Sequence, residues 1–166
     1  MIRPEAAADH PAVRAIHVAA FAPSTVEAEI LDALRADGDL VPSLSLVALH
    51  DGAVAGHVAI SRAWVGATEV LALGPIGVLP ALQRAGLGAA LMGGVLAAAA
   101  ATERPLIALL GHPEYYPRFG FEPAGTLGLA CPYPAPPEAW MAYRLPAYDP
   151  SVRGAFRYAD AFSRAA

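Results

Sequence analysis

A glycine-containing turn within residues 76–89 carries the strongest chemical signal in the sequence. An apolar run ends at Pro80, and Gly86 and Gly88 then open a long stretch of small and apolar residues. Glycines have no Cβ to block a ligand, and the first turn of a helix adds unpaired N–H groups and the positive end of its dipole. The turn therefore predicts a binding site for a phosphate or pyrophosphate.

Two common phosphate-binding motifs do not fit this turn. A P-loop needs Gly-Lys-Ser/Thr, and the chain contains no lysine. The dinucleotide fingerprint needs a third glycine after Gly86 and Gly88, but Ala90 and Leu91 follow them. A nucleotide-binding domain that uses the turn for ATP is therefore disfavoured, because the lysine and the magnesium ligands are missing.

Two segments together resemble the GNAT superfamily of N-acetyltransferases. Residues 78–88 have the pattern Val-x-Pro-x-x-Gln-x-x-Gly-x-Gly, which resembles the acyl-CoA motif of that family. Residues 115–121, Tyr-Tyr-Pro-Arg-Phe-Gly-Phe, resemble the Tyr-x-x-x-Gly-Phe stretch that these enzymes carry further along the chain. The two motifs occur in the family's order and are more specific together than either is alone. The resemblance covers roughly residues 1–146.

The resemblance implies that the chain binds acetyl-CoA and releases CoA. It implies that the strand ending at Val78 separates from the next strand and pairs with the amide-rich pantetheine arm through backbone groups. Gly74-Pro75 is a plausible cause, because proline cannot donate to a sheet ladder, and we expect it to interrupt the strand. The implied binding residues are Ile76, Gly77, Val78, Gln83, Arg84, Ala85, Gly86, Leu87, Gly88, Ala89 and Phe119.

A tyrosine in the second motif is the candidate general acid. Tyr116 stands four residues before Gly120 and looks like the family's acid, because a tyrosine hydroxyl can protonate the leaving thiolate. Tyr115 is the competing candidate, although a helical turn would point it elsewhere. A purely packing role for both tyrosines is the alternative interpretation.

The general base is left unassigned. The position that corresponds to a family glutamate is Ala72, and strand alternation puts Glu69 on the opposite face. His57 and His112 titrate near pH 6.5 by type, but each is also typical of a packed or surface histidine. Deprotonation through water is therefore the expectation. The remaining histidines, including His17, show no metal-ligand spacing, and no metal site is predicted.

Composition narrows the class of protein. The 166 residues are 56% hydrophobic and 16% charged, which favours a folded chain with a sizeable core. A net charge of −4 offers no basic surface for nucleic acid. The uncharged segment 85–102 consists mostly of alanine and glycine, so a buried helix is expected rather than a membrane span. Cys131 is the single cysteine and no signal peptide is evident, which favours a cytoplasmic protein.

The pattern of apolar residues predicts an α+β (mixed α/β) fold. The resemblance implies a central, mostly antiparallel twisted sheet with a splay between strands 4 and 5 and helices on both faces. The predicted elements of the first half are a strand at 2–3, a helix from Asp9 to about 21, a helix from a capping box at 24–27 to Gly38, and a hairpin over 45–64. Two strands follow, at 69–78 and 105–111, with the long helix between them. A short helix at 113–119 and strands near 121–129 and 140–145 complete the prediction.

One N-acetyltransferase domain is expected over residues 1–166, with a core at 1–146 and an extension at 147–166 that adds a strand or arm around 156–158. The expected function is transfer of an acetyl group from acetyl-CoA to a primary amine, on a small molecule or a peptide, by direct attack in a ternary complex. A catalytically silent acyl-CoA-binding sensor or assembly module is the alternative, and retention of Tyr116 favours the enzyme. The acceptor and a possible homodimer are left open.

Overall fold

The computed structural model of the chain describes residues 1–165, which form nine strands and four α-helices. The fold is mixed α+β with an open, mostly antiparallel sheet, which confirms the predicted class. The strands are β1 Ile2–Pro4, β2 Leu46–His50, β3 Ala53–Val65, β4 Thr68–Val78, β5 Leu106–Leu110, β6 Glu122–Pro123, β7 Leu129–Ala130, β8 Trp140–Arg144 and β9 Gly154–Tyr158. The helices are α1 His10–Ala20, α2 Val26–Asp37, α3 Leu87–Ala100 and α4 Asp160–Ala165.

The strand order is β1-β2-β3-β4-β5-β8-β6, with β9 beside β3 and β7 beside β9. The parallel ladder between β4 and β5 consists of two pairs, Leu71 with Ile107 and Ala72 with Ala108. This ladder ends just before Gly74, where the sequence predicts that β4 and β5 separate. The predicted interruption of β4 takes the form of a lost neighbour, since the ladder to β5 ends at Ala72 while β4 itself runs on through Gly74 to Val78. Gly74 has a φ of 136°, which a residue with a Cβ rarely adopts, and this lets the chain continue.

The chain forms two compact units, and the first comprises Met1–Ser61, Gly74–Ala98 and the chain from Ala159 onwards. Its β2–β3 hairpin turns at Asp51 and Gly52, with φ angles of 50° and 79°, as an Asp-Gly pair predicts. Helix α2 ends at Gly38 in the left-handed conformation, also as predicted. The buried side chains of α1 and α2 include Val13, Ile16, Leu31 and Leu34.

The predicted caps of α1 and α2 are wrong. Asp9 does not cap α1 with its side chain; its carboxylate accepts from the Ala6 N–H at 2.8 Å and from Arg3 Nη1 at 2.7 Å. Arg3 lies on β1, so its pairing with Asp9 depends on tertiary packing. In α2 the N-cap Thr25 makes no side-chain cap within the described chain, and Ser24 Oγ instead accepts from the Val26 N–H at 3.2 Å.

The second unit comprises Arg62–Leu73 and Ala99–Tyr158. Its longest ladder joins β5 to β8 in antiparallel register. The predicted strand at 121–129 is wrong, because β6 and β7 are two-residue strands separated by a 3-10 turn at Ala124–Leu127. The short helix predicted at 113–119 is a 3-10 turn at Tyr116–Phe119. The predicted strand in the extension is confirmed, since β9 pairs with the end of β3.

The uncharged segment forms α3, whose residues Leu91, Met92 and Val95 are buried. Among the helices of residues 1–165, none combines the length and the apolar character that crossing a membrane requires. Helix α4, which the sequence did not predict, packs against α2.

Candidate functional site

The glycine turn has the backbone geometry of an anion site. After β4, the chain makes a 3-10 turn at Pro80–Leu82, and Arg84 and Gly86 then adopt φ angles of 69° and 85°. A Cβ built on Gly86 would meet nothing within 4 Å, so the space beside this glycine is open. Helix α3 begins at Leu87, directly after these two left-handed residues. Successive residues of this kind turn their N–H groups toward one side of the chain.

The donors of the turn fit a diphosphate. The Ala90 N–H donates to Gly86 O at 3.0 Å, which makes it the first intrahelical bond of α3. The N–H groups of Leu87, Gly88 and Ala89 precede that bond and have no intrahelical acceptor. Gln83 Nε2 donates to Val78 O at 3.2 Å and ties the turn to the end of β4. The turn thus offers exposed donors and open space to the pyrophosphate of an acyl-CoA.

A second feature of the first unit is a buried chain of polar side chains, which we call the histidine relay: His17, His57 and Glu5. His57 Nε2 lies 2.7 Å from Glu5 Oε1, and His57 Nδ1 lies 2.8 Å from His17 Nε2. Both imidazoles are fully buried. Arg35 also binds Glu5, with its Nη2 3.2 Å from Oε1 and its Nη1 bonded to Oε2.

Hydrogen-bond chemistry determines where the protons of the relay reside. The Glu5 carboxylate can only accept, so His57 donates through Nε2–H and its Nδ1 carries a lone pair. That lone pair accepts from His17, whose proton is therefore on Nε2. His17 Nδ1 is left with a free lone pair, and within residues 1–165 this buried atom has no hydrogen-bond partner.

The free nitrogen of His17 faces β4. A Cβ built on Gly77 would lie 3.1 Å from His17 Nδ1 and 3.3 Å from Ala20 Cβ. Glycine at this position is therefore what allows α1 to lie so close to the strand. Phe21 stacks on the His17 ring, with centroids 6.1 Å apart and an angle of 16° between the planes.

Burial and pairing shift the pKa values of the relay. Burial, together with His57 and Arg35, lowers the pKa of His17 to about 3, while Glu5 opposes them. Burial also lowers the pKa of His57, against the hydrogen bond with Glu5. Burial alone would raise the pKa of Glu5, but its bonds with His57 and Arg35 outweigh it and hold that pKa at about 2. At neutral pH the relay is a carboxylate and two neutral imidazoles.

Acidification is expected to destabilise the fold through this relay. Below pH 6.5 the unfolded chain protonates histidines that the folded chain keeps neutral, so stability falls toward pH 3, by up to about 1.4 kcal/mol per pH unit for each histidine. Glu5 causes a further loss of stability as the pH falls from about 4.5 to 2, because its pKa is lower in the folded state than in the unfolded chain. Urea unfolding between pH 7.5 and 4 measures the slope.

The variant for this prediction is His17→Gln, compared with the wild type. Between pH 6.5 and 4, the number of protons taken up on unfolding should be lower by one in His17→Gln. An unaltered slope in His17→Gln would show that His17 is not held neutral by the fold.

In the second unit, Tyr116 is buried at the start of its 3-10 turn. Burial, with a smaller contribution from Tyr115, raises its pKa to about 12. Its ring packs edge-on against Phe121 at 5.9 Å between centroids. A Cβ built on Gly111 would lie only 2.3 Å from the Tyr116 ring, so glycine is required there. Tyr116 is thus a protonated hydroxyl on a tightly packed ring.

The neighbouring motif residues have different surroundings. Tyr115 is half-buried, stands nearly perpendicular to Tyr116, and has the Arg118 guanidinium 4.6 Å from its ring centroid. Phe119 is half-buried and packs against Tyr115. Gly120 ends the turn with a φ of 102°, which explains the glycine of this motif.

The structure also places the residues that were weighed as a base. Ala72 is buried in β4. Glu69 is bound by Arg62 Nε at 2.8 Å and by Arg104 Nε at 2.9 Å, which lower its pKa despite opposing burial. His112 is exposed. Within residues 1–165, no three His, Cys, Asp or Glu side chains are arranged to hold a metal ion.

Sequence reasoning missed Glu5 and His17. The sequence carries only a weak signal for them: His10 and His17 are seven residues apart on one helix face, and His57 falls in an otherwise apolar strand. His57 is 40 positions from His17 and 52 positions from Glu5, and no local pattern reveals contacts over such distances.

Comparisons with known proteins agree with this fold. The sequence model of the Acetyltransferase (GNAT) family matches residues 11–121. Uncharacterized N-acetyltransferase YjhQ of Escherichia coli (strain K12) is 34% identical over 156 residues, covering 89% of this chain and 86% of that protein. Uncharacterized N-acetyltransferase YhbS of the same strain is 33% identical over 169 residues, covering 99% of each chain.

Two solved structures of similar proteins contain CoA or acetyl-CoA. The crystal structure of the Escherichia coli GNAT family N-acetyltransferase YhbS in complex with CoA has a TM-score of 0.90 and 32% identity, covering 99% of this chain and 92% of that one. The crystal structure of a GNAT family acetyltransferase from Brucella melitensis in complex with acetyl-CoA has a TM-score of 0.78 and 35% identity, covering 98% and 97%.

Proposed function

Because the chain belongs to the GNAT acetyltransferase family, and is thus an acetyl-CoA-dependent acyltransferase, we propose that it acetylates a primary amine by direct attack in a ternary complex. The acceptor is a small molecule or a peptide with a free amine. The observation that carries the proposal is the turn itself: left-handed Arg84 and Gly86, open space at Gly86, and first-turn N–H groups of α3 that have no intrahelical acceptor.

Acetyl-CoA supplies the activated acetyl group as a thioester. The turn from Gln83 to Ala89 binds the pyrophosphate through backbone N–H groups and the N-terminal end of the α3 dipole. The guanidinium of Arg84 adds charge to the same exposed surface. Backbone groups of Ile76, Gly77 and Val78 at the end of β4 bind the pantetheine arm, and Phe119 adds apolar contact. The CoA complexes of the two relatives support this assignment.

Tyr116 donates a proton to the leaving thiolate in this proposal. A pKa of about 12 keeps its hydroxyl protonated at every working pH, so it is a proton donor and not a base. Its burial fixes the ring and restricts the directions in which the hydroxyl can donate.

A panel of amines tests the proposal. The protein is incubated with acetyl-CoA and spermidine, ethanolamine, lysine methyl ester or a tripeptide with a free N-terminus, while a thiol reagent follows CoA release and mass spectrometry identifies the product. We expect at least one acetylated amine, formed at a rate that depends on both substrates. Since the chain has no lysine, modified lysines of the protein itself cannot account for the signal. CoA binding without any acetylated amine would favour a silent acyl-CoA-binding module.

A further inference from the structure

We propose that His17 Nδ1 accepts the proton that the acceptor amine loses, and that Glu5 stabilises the resulting positive charge through His57. This inference rests on the proposed function. It assigns the general base, which neither the family motifs nor Glu69 supplies. The observation behind it is a fully buried imidazole lone pair that has no hydrogen-bond partner within residues 1–165 and faces the strand proposed to hold the acetyl thioester.

The position of the lone pair argues for a role at β4. Buried polar atoms without hydrogen bonds are uncommon, because each costs about 1–3 kcal/mol of desolvation. His17 Nδ1 stands against Gly77, within van der Waals reach of a built Cβ. Gly77 separates Ile76 and Val78, whose backbone groups are proposed to bind the pantetheine arm. The unpartnered atom therefore lies beside the part of β4 that is proposed to hold the pantetheine arm.

The order of hydrogen bonds gives the relay a direction. When His17 Nδ1 takes a proton, its Nε2–H still donates to His57 Nδ1, and the His57 Nε2–H still donates to Glu5, so the positive charge is linked to a carboxylate at the far end. Glu5 lines a surface cavity of about 510 Å³ together with His10 and Arg35. His10 Nε2 lies 3.3 Å from Glu5 Oε2 at this outer end. The relay thus connects Gly77 with a cavity that is open to solvent.

The charges around His17 come from several elements. Glu5, after β1, favours protonation of both imidazoles, while Arg35 on α2 opposes it. His57 on β3 opposes a charge on His17, and His10 on α1 opposes one on His57. Glu5 is the one anion among these groups, so it stabilises the charge that the relay receives, as a buried carboxylate does for a catalytic imidazole.

The bond changes balance as follows. The amine nitrogen forms a C–N bond with the acetyl carbon, the thioester C–S bond breaks, and the thiolate takes a proton from Tyr116. The nitrogen loses one proton to His17 Nδ1. Once the product leaves, His17 releases this proton to water, and Tyr116 regains a proton from water. Phe21, half-buried and stacked on the His17 ring, has to shift for the amine to reach Nδ1.

His17→Gln tests the base. The glutamine amide can still donate to His57 Nδ1, but it has no basic nitrogen beside Gly77. We expect kcat with the best amine of the panel to fall by about 10²-fold at pH 7, with the KM for acetyl-CoA unchanged. The deficit should shrink toward pH 10, because hydroxide replaces the missing base. A purely structural role would lower kcat by one factor at every pH, and that result would overturn the proposal.

His50→Gln is the matched control, since it removes an exposed histidine at the end of β2 and should leave kcat unaltered. CoA affinity of both variants is measured by calorimetry and should match the wild type. Failure of the proposed function would be visible in the wild type, as CoA binding without amine acetylation. Failure of the relay would be visible as wild-type acetylation that His17→Gln leaves intact or lowers equally at all pH values.

A second measurement needs no turnover. Nitrogen-15 NMR of the uniformly labelled wild-type chain reports which imidazole nitrogen carries the proton, and the five histidines can be assigned with single variants. We expect His17 and His57 to be neutral at pH 7, with the proton on Nε2 and an unprotonated Nδ1. A proton on His17 Nδ1 would remove the acceptor and overturn the proposal, whatever the kinetics show.

Discussion

Tyr116→Phe is expected to lower kcat by about 10²-fold or more and to leave CoA affinity nearly unchanged. The substitution removes the hydroxyl that donates the proton but keeps the ring that packs against Phe121 and Gly111. The fold should therefore be preserved. Steady-state kinetics with the best amine of the panel gives kcat, and calorimetry gives the CoA dissociation constant.

Tyr115→Phe is the matched control, because it removes one hydroxyl from the adjacent residue of the same motif. Its ring can keep the Arg118 guanidinium, whose contact is with the ring face. We expect a much smaller change in kcat. Small and equal effects in the two variants would make Tyr116 a packing residue and leave protonation of the thiolate to water.

Gly86→Val should weaken CoA binding by about 1–3 kcal/mol, the scale of a strained backbone position. That free energy corresponds to about 5- to 150-fold in the dissociation constant. Valine disfavours a φ of 85°, and its branched side chain would fill the open space in which the pyrophosphate is proposed to bind. Calorimetric titration of the variant with CoA measures the loss.

The control for backbone strain is Gly52→Val. Gly52 has a φ of 79° and open space around a built Cβ, so valine meets the same conformational penalty there, but in the β2–β3 hairpin. Gly52→Val should lower thermal stability and leave CoA affinity unchanged. If both variants bind CoA as the wild type does, the turn does not hold the pyrophosphate.

The elements that were predicted correctly depend on short stretches of chain. The Asp-Gly turn of the hairpin, the end of α2 at Gly38 and the glycine turn before α3 each reflect the conformational preference of one or two residues. The predictions failed where an element depends on contacts with other parts of the chain. The Asp9 carboxylate was assigned to α1, but Arg3 on β1 binds it, and the strand predicted at 121–129 divides into β6 and β7.

The candidate site likewise has parts that the sequence predicted and parts that it did not. The turn and Tyr116 were identified from motifs, and the structure adds that Arg84 is left-handed and that Gly111 makes room for the tyrosine ring. The histidine relay was not identified as a unit. His57 was weighed alone and His17 was set aside, because neither its burial nor its neighbours can be read from a helical pattern.

The sequence by itself determined the family, and it predicted the phosphate-type turn and the proton donor, because backbone preferences and motif spacing act within a few residues. Only the tertiary structure decided the histidine relay, in which Glu5 is 52 positions from His57, and His57 is 40 positions from His17. Packing β1, β3 and α1 together removes water from these side chains, and desolvation then lowers the pKa of both histidines. A lone pair that faces Gly77 with no partner follows from that packing, since only the fold brings α1 against β4.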